Sequence, residues 1–278
     1  SSLPWISVEM PDDAAEEMSL PGVLSIESDT ECVRCVSTLA ETRTWPLEML
    51  RVNMAHRLTR GAGAVVAVLD TGIAPHQDFE QANMEILPGA IPRESPLDLN
   101  GHGTAMTGII CAGDGGASGI APEARVLSIK VLDRNGVGKW SWVAAGIEKA
   151  ASMRADVVLM ALGGKRPSMM VEDAMRLLAS TGGVPVVAAG NDGSRVMDFP
   201  GSSGQAIAVA AVDEDGYVAS WSSWAPRSEG PDIAAPGVLI PVLRPNDGYG
   251  TISGTSPAAA VVAGCVALLY SVNKAIKA

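Results

Sequence analysis

The chain has 278 residues, of which 47% are hydrophobic, and this is enough to form one large globular domain or two small ones. Its formal net charge of −11 argues against a nucleic-acid-binding protein, because phosphate binding needs clustered Lys and Arg. We find no run of about 18 apolar residues that is free of helix breakers, so the sequence predicts no membrane span.

The pattern of the first 44 residues predicts a small N-terminal segment that is separate from the rest of the chain. The segments ISVEM, DDAAEEMSL and GVLSIESD have the pattern of a strand, a short acidic helix and a second strand, with prolines between them. Residues 30–44 then indicate a connector to a larger domain at 45–278. The alternative is that the first 44 residues are an extension packed on the sheet of the larger domain.

The four cysteines do not indicate a metal site. Cys32 and Cys35 form a single CxxC pair, and the chain has only three histidines, whereas a zinc site needs four ligands at known spacings. Cys111 and Cys265 each lie in a run of small apolar residues, which is typical of a buried free thiol. We therefore predict no metal ligands among them, and the redox compartment stays open.

Continuous apolar runs alternate with amphipathic stretches through the middle of the chain. The runs predict buried parallel strands, and the stretches between them predict helices. The predicted strands are 64–69, 125–132, 155–162, 184–189 and 205–212, and the clearest helices are 141–153 and 169–180. This alternation predicts an α/β fold with helices on both faces of a mainly parallel sheet, where ligands bind at the carboxyl ends of the strands.

Asp70-Thr71-Gly72 follows the first predicted strand directly, which places Asp70 at the carboxyl edge of the sheet. The triplet also occurs in aspartic proteases, which need two such carboxylates sharing a proton. This chain has one Asp-Thr-Gly and an α/β pattern, so that alternative survives only as a dimer.

Asn100-Gly101-His102-Gly103-Thr104 precedes a helix of small residues predicted over 105–112. A lone histidine is more often a surface residue or a core residue with satisfied hydrogen bonds. A histidine between two glycines at a helix start, in a chain with three histidines, is a candidate for chemistry.

Gly190-Asn191-Asp192-Gly193 ends the strand predicted over 184–189. Asn191 has two interpretations on this stretch alone. Its side chain forms part of the turn, or it aims its amide N–H at a developing oxyanion.

Ser256 lies where a glycine turn meets the apolar run of SGTSPAAAVVAGCVALLY (253–270). One interpretation is helix capping, with Ser256 as the N-cap and Pro257 at the first helical position. The other is a nucleophilic serine presented by the start of a helix. This stretch alone does not decide between them.

Taken together, these motifs resemble the subtilisin-like serine proteases, or subtilases (peptidase family S8). The matches are VAVLDTGI around Asp70, GHGT around His102, VVAAGNDG around Asn191 and SGTS around Ser256, and coverage is nearly continuous from about residue 45 to 270. The order Asp, His, Ser is that of subtilisin. The resemblance implies a three-layer α/β/α fold and a serine endopeptidase.

The resemblance also implies a role for each of these residues. Ser256 would attack the scissile carbonyl with His102 as general base, and Asp70 would hold the imidazole tautomer. The side chain of Asn191 and the Ser256 N–H would bind the oxyanion. A protein or peptide substrate would lie extended between two edges, formed by Gly138, Lys139 and Trp140 on one side and Leu162, Gly163 and Gly164 on the other. No cofactor enters this mechanism.

The same resemblance places a pocket for the residue before the scissile bond next to Asp192, Asp198 and Gly201. Asp198 would lie at the pocket floor and Asp192 at its rim, and a carboxylate in an apolar slot favours Arg or Lys, as in trypsin. Two alternatives stay open, because Asp198 can also pair with Arg195 or point to solvent.

Other family features are expected to differ. Asp78 matches a calcium ligand, but the glycine-rich loop 113–119 carries one carboxylate, Asp114, and a hard cation takes about six to eight oxygens. We therefore do not favour a structural calcium.

The N-terminal 44 residues resemble part of the family's inhibitory propeptide, which acts as an intramolecular inhibitor or chaperone. The resemblance favours a secreted monomer, while the sequence leaves the cytoplasm open.

Two further function classes stay open at this point. A peptide ligase or macrocyclase on the same fold would need water excluded from the acyl-enzyme, and the chain shows no long insertion to form a lid. A catalytically weak pseudoprotease that acts as a binding module is the third class, although all four chemical positions are filled.

Overall fold

A parallel sheet of seven strands forms the centre of the fold in the computed structural model, which describes residues 45–113, 115, 117–226 and 230–274. The strands are β1 (Val65–Asp70), β2 (Met84–Ile86), β3 (Arg125–Lys130), β4 (Val157–Met160), β5 (Val184–Ala188), β6 (Ile207–Val212) and β7 (Ile233–Pro236). Their spatial order is β2-β3-β1-β4-β5-β6-β7. The pattern predicted over residues 1–44, the Cys32–Cys35 pair and Asp114 lie outside the described residues.

The five strands predicted from apolar runs are confirmed, and β2 and β7 are additional. The five predicted strands are almost entirely buried and mostly apolar, and the buried Ser128 and Lys130 of β3 are the main exceptions. The two additional strands form the edges of the sheet and are short and partly exposed. An edge strand needs no continuous apolar run, which is why the sequence pattern did not indicate them.

Helices cover both faces of the sheet, as the three-layer prediction requires. Helices α3 (His102–Cys111) and α6 (Thr255–Val272) share one core with alternate residues of β1, Val66 and Val68. Helices α4 (Trp140–Ser152) and α5 (Met169–Ser180) share a second core with the intervening residues, Ala67 and Leu69. Successive side chains of a strand point to opposite faces, so β1 contributes to both cores.

Helix α6 passes through the core and is apolar on all sides. Its 18 residues have a mean hydropathy of 1.7, so by length and composition it is able to cross a membrane. Pro257 and Gly264 interrupt it, so it is not an apolar run free of helix breakers, and the expectation from the sequence is not contradicted. In the structure 67% of this stretch is buried, as in the core helix of a globular protein. Gly264 allows its close packing, because a Cβ there would lie 2.8 Å from the Ile120 Cβ.

An antiparallel hairpin covers the outer side of α3. It consists of β8 (Ile240–Arg244) and β9 (Gly248–Ile252), and its turn has positive φ angles at Asn246 and Asp247. Leu243 packs against Gly108 of α3, where a Cβ would lie 2.7 Å from the leucine Cγ. Two short helices, α1 (Trp45–Met49) and α2 (Val52–Ala55), precede the sheet.

The carboxyl ends of three neighbouring strands meet at one edge of the sheet. Asp70 ends β1, Ala161 follows β4 and Asn191 lies three residues after the end of β5. The strand order reverses beside β1, because β2 and β3 lie on one side of it and β4–β7 on the other. This is the position at which doubly wound sheets bind ligands.

Candidate active site

Asp70 is held at the end of β1 by a turn that only glycine allows. Its carboxylate is 1% exposed, and the Thr71 N–H donates to its Oδ1 at 2.7 Å. The chain turns at Gly72, which has a φ of +101°. A Cβ at this position would lie 2.3 Å from the Pro96 carbonyl oxygen, so a side chain there would displace the turn.

His102 is the first residue of α3, and its ring contacts Asp70. The His102 Nδ1 lies 2.8 and 2.9 Å from the two carboxylate oxygens of Asp70. Burial lowers the pKa of His102, but the charge and hydrogen bond of Asp70, together with the charge of Asp98, outweigh burial and raise this pKa above its ordinary value of 6.5. A neutral ring that donates from Nδ1 carries its lone pair on Nε2, where it is able to accept a proton.

The glycines beside His102 have a steric reason. A Cβ at Gly103 would lie 2.2 Å from the Gly72 carbonyl oxygen, so this glycine lets α3 pack directly against the Asp70 turn. Gly101 precedes the helix with a φ of +98°. Gly103 thus reflects the close approach of the two segments that carry Asp70 and His102, and Gly101 reflects the positive φ before the helix.

Asp98 joins these two segments and was not identified from the sequence. Its side chain is buried and accepts five hydrogen bonds. Oδ1 accepts from the Thr71 hydroxyl (2.8 Å) and from the N–H groups of Asn100 (2.9 Å) and Gly101 (2.8 Å), and Oδ2 accepts from the N–H (2.9 Å) and hydroxyl (2.6 Å) of Thr104. Burial raises the pKa of Asp98, but these hydrogen bonds outweigh burial and lower it below 3.8. The one sequence feature that points to it is its place four residues before His102.

Ser256 lies in the first turn of α6 and is not its N-cap. The helix begins at Thr255 and its N-cap is Gly254, so the capping interpretation of Ser256 is wrong. The Ser256 hydroxyl instead donates to the Ala161 carbonyl oxygen at 3.1 Å. Among the described residues it makes no hydrogen bond to His102. Such catalytic hydrogen bonds are often long without substrate and tighten in the complex.

Asn191 is oriented by Thr255, a residue that the sequence analysis did not single out. The Asn191 Oδ1 accepts from the Thr255 N–H at 2.8 Å and from the Thr255 hydroxyl at 2.9 Å. With its oxygen held in this way, the amide nitrogen of Asn191 is left to donate elsewhere. The same threonine hydroxyl also accepts from the Gly190 N–H at 3.2 Å, which fixes the turn after β5.

A cleft of about 260 Å³ brings several of the predicted residues together. Ser256 and Asn191 both line it. Four of the predicted substrate residues line it as well: Leu162, Gly163, Asp192 and Asp198. Ser256 and Asn191 thus line the same cleft as these four residues.

Five other predicted substrate residues do not line this cleft. Gly164 exchanges two backbone hydrogen bonds of 2.9 Å with Phe199, and Trp140 packs edge-on against the Phe199 ring at 5.2 Å. Gly138 pairs with Leu132, while the Lys139 ammonium lies over the ring of Trp142. Gly201 starts a short 3₁₀ helix beside Ala188. Of these five residues, Gly164, Trp140 and Gly201 thus contact residues next to the cleft, whereas the contacts of Gly138 and Lys139 lie elsewhere.

Asp198 pairs with a residue that the sequence analysis did not consider. The Lys165 ammonium donates to Asp198 Oδ1 at 2.6 Å and also contacts Asp192. Arg195 was the alternative partner predicted from the sequence. Its guanidinium instead lies over the Trp224 ring, with Cζ 5.2 Å from the ring centroid. The solvent-exposed alternative is also wrong, since the Asp198 side chain is only 17% exposed.

The described residues contain no group of three or more His, Cys, Asp or Glu side chains arranged to hold a metal ion. Asp78 accepts a hydrogen bond from the Tyr249 hydroxyl at 3.0 Å. The expectation about calcium remains a prediction, because Asp114 is not described.

Cys111 and Cys265 are free thiols, and burial raises the pKa of Cys265 to about 11.

Comparison with known proteins gives a consistent result. The subtilase family (Peptidase_S8) matches residues 61–278. The alkaline protease of Alkalihalobacillus alcalophilus is 35% identical over 277 residues, which cover 98% of this chain and 70% of that protein. The thermostable alkaline protease of Halalkalibacterium halodurans is 39% identical over 254 residues, covering 90% and 68%. Subtilisin Savinase of Lederbergia lenta is 36% identical over 238 residues, covering 84% and 86%.

Proposed function

The chain belongs to the subtilase family of serine proteases, which hydrolyse peptide bonds, and we propose that Ser256 and His102 carry out this reaction here. The observation that carries the proposal is the contact of His102 Nδ1 with both oxygens of Asp70, at 2.8 and 2.9 Å. This contact fixes the ring and leaves Nε2 as the proton acceptor.

The first step requires the serine hydroxyl to leave its present hydrogen bond. Ser256 Oγ leaves the Ala161 carbonyl, donates its proton to His102 Nε2 and attacks the scissile carbonyl carbon. The carboxylate of Asp70 then stabilises the imidazolium that forms. His102 returns the proton to the leaving amine, and water repeats the sequence to release the acyl group.

Charge on the carbonyl oxygen is stabilised by Asn191 and by the start of α6. The Thr255 contacts hold the Asn191 oxygen, so the amide N–H groups of Asn191 are available to the oxyanion. The backbone N–H of Ser256 lies in the first turn of an 18-residue helix and has no intrahelical acceptor. Both donors are fixed before the reaction, which is the condition for oxyanion stabilisation.

A peptide substrate binds in extended form along the cleft. Gly163 lines the cleft, and we expect its backbone to pair with the substrate backbone, as in strand addition. Asp198 in the wall of the cleft supports a preference for Arg or Lys before the scissile bond, and this preference remains a proposal. The proposed steps use no cofactor.

The N-terminal 44 residues are proposed to be a propeptide-like inhibitor or chaperone. The match to the alkaline protease covers 98% of the chain and therefore extends into this region, whereas the family match begins at residue 61. A secreted monomer is part of the same proposal and rests on the family alone.

Labelling with a fluorophosphonate tests the proposed function, because it reacts only with an activated serine. We expect labelling and peptide hydrolysis in the wild type, and loss of both in Ser256→Ala and nearly complete loss in His102→Ala. Hydrolysis that persists in Ser256→Ala would refute the assignment. A folded wild type that neither labels nor cleaves would favour the pseudoprotease, and peptide joining in place of hydrolysis would favour the ligase.

A further inference from the structure

Lys165 faces Asp198 because of the backbone pairing beside the cleft. Gly164 and Phe199 form an antiparallel bridge with two hydrogen bonds of 2.9 Å. The next residue on one segment therefore lies opposite the preceding residue on the other, which makes Lys165 and Asp198 a cross-strand pair. The main chain, and not only a flexible side chain, brings the ammonium to this carboxylate.

Asp198 is seated in the wall of the cleft. Glycines make room for it, since a Cβ at Gly163 would lie 2.9 Å from the Asp198 Cβ and a Cβ at Gly190 would lie 2.9 Å from its Oδ2. The Lys165 ammonium donates to the other oxygen, Oδ1, at 2.6 Å. A substrate side chain that enters the cleft thus meets a carboxylate that already has a cationic partner.

We infer that Lys165 is a specificity-determining residue that competes with a basic substrate side chain for Asp198. The inference rests on the proposed function and deepens it. An Arg or Lys before the scissile bond either displaces the Lys165 ammonium from Oδ1 or places a second cation beside it at Oδ2, and both weaken its pairing with Asp198. A Leu at the same position leaves the pair intact, so Lys165 reduces the advantage of basic substrates.

Asp192 gives the displaced ammonium a second position. Lys165 contacts both carboxylates, and the Asp192 side chain is 56% exposed. Lys165 is therefore able to release Asp198 and remain paired with Asp192 at the rim. The hydrogen bonds that Lys165 donates to Asp192 and to Asp198 raise the pKa of Lys165, so the ammonium stays charged at neutral pH. Basic substrates are accordingly admitted, with a reduced preference.

The test uses two peptides that are identical except for Arg or Leu before the scissile bond. The quantity measured is the ratio of kcat/KM for the Arg peptide to that for the Leu peptide. We expect Lys165→Met to raise this ratio about tenfold or more, because Asp198 then forms its charged hydrogen bonds with the substrate. Lys165→Gln is the second variant and should raise the ratio in the same direction.

Three control variants connect the effect to the pair. Lys165→Arg keeps a cation opposite Asp198 and should keep the wild-type ratio. Adding Asp198→Asn to Lys165→Met should remove the gain. Lys149→Met replaces an exposed lysine of α4 and should leave the ratio as in the wild type.

The outcomes separate the inference from the proposed function. A ratio that stays within about twofold of the wild type in both Lys165→Met and Lys165→Gln would overturn the inference while cleavage continues. A gain that survives Asp198→Asn would overturn it as well. Absence of Ser256-dependent cleavage of both peptides would overturn the proposed function and the inference with it.

Discussion

Replacing Asp98 by asparagine should destabilise the protein because the new side-chain NH₂ group would face the backbone N–H of Thr104. In the wild type Oδ1 accepts three hydrogen bonds and Oδ2 accepts the N–H and the hydroxyl of Thr104. The side-chain amide introduced by Asp98→Asn is not equivalent to two oxygens. Its carbonyl oxygen serves the three donors at Oδ1, and its NH₂ group then faces the Thr104 N–H. Two donors are brought together in a buried site.

The magnitude follows from these contacts. The buried Thr104 N–H loses its acceptor, which costs about 1 to 3 kcal/mol, and the three bonds at Oδ1 lose their ionic character. We expect a total loss of about 2 to 4 kcal/mol in the free energy of unfolding. For a domain of this size that corresponds to a fall in Tm of roughly 5 to 15 °C.

The assay is thermal unfolding at one scan rate, with Ser256→Ala in every protein so that self-digestion does not contribute. Asp133→Asn is the matched control. The partly exposed Asp133 accepts the N–H groups of Asn135 and Val137 with Oδ1 alone, so an asparagine oxygen can replace it, and the Tm should fall less than for Asp98→Asn.

The pH dependence gives a second check on the same variant. Because the pKa of Asp98 is lowered in the folded state, its ionised form stabilises the fold above the unfolded pKa of about 3.9. That contribution is lost as the pH falls through the folded pKa. The difference between wild type and Asp98→Asn should therefore shrink below about pH 4. A Tm equal to that of the wild type at about pH 7, or a difference that is constant down to about pH 3, would refute the reasoning.

Three further predictions concern catalysis and folding. Asn191→Ala should fold normally and reduce kcat by about 10² to 10³-fold, the loss measured for such a donor in subtilisin, a member of this family; a kcat within about threefold of the wild type would contradict the role of Asn191. The raised pKa of His102 should place the acid limb of kcat/KM above pH 6.5, since only the neutral ring accepts the serine proton, and a midpoint at or below 6.5 would contradict the Asp70 contact. Deleting residues 1–44 should lower the yield of folded protein or remove self-inhibition, measured by refolding and by progress curves, and a truncated protein that equals the full chain in both would count against a propeptide.

The sequence by itself determined the fold class and the positions of the candidate residues. Largely apolar runs predicted the five central strands, because most positions of a strand that is buried on both faces are apolar. Asp70 followed such a run directly and Asn191 followed another after one glycine, so their place at the carboxyl edge of the sheet followed from the strand prediction. The two glycines beside His102 were visible in the sequence because each position excludes a side chain. The backbone has a positive φ at Gly101, and another backbone approaches closely at Gly103.

The tertiary structure decided which side chains meet. Lys165 and Asp198 are 33 residues apart in the chain, and only the Gly164–Phe199 bridge makes them neighbours. Thr255 orients Asn191 across 64 residues, and no local pattern announces such a contact. The role of Ser256 was open for the same reason, because the start of α6 depends on the backbone at Gly254 rather than on the serine hydroxyl. Periodicity and turn chemistry are encoded within a few residues, whereas these pairs depend on how the sheet brings distant segments together.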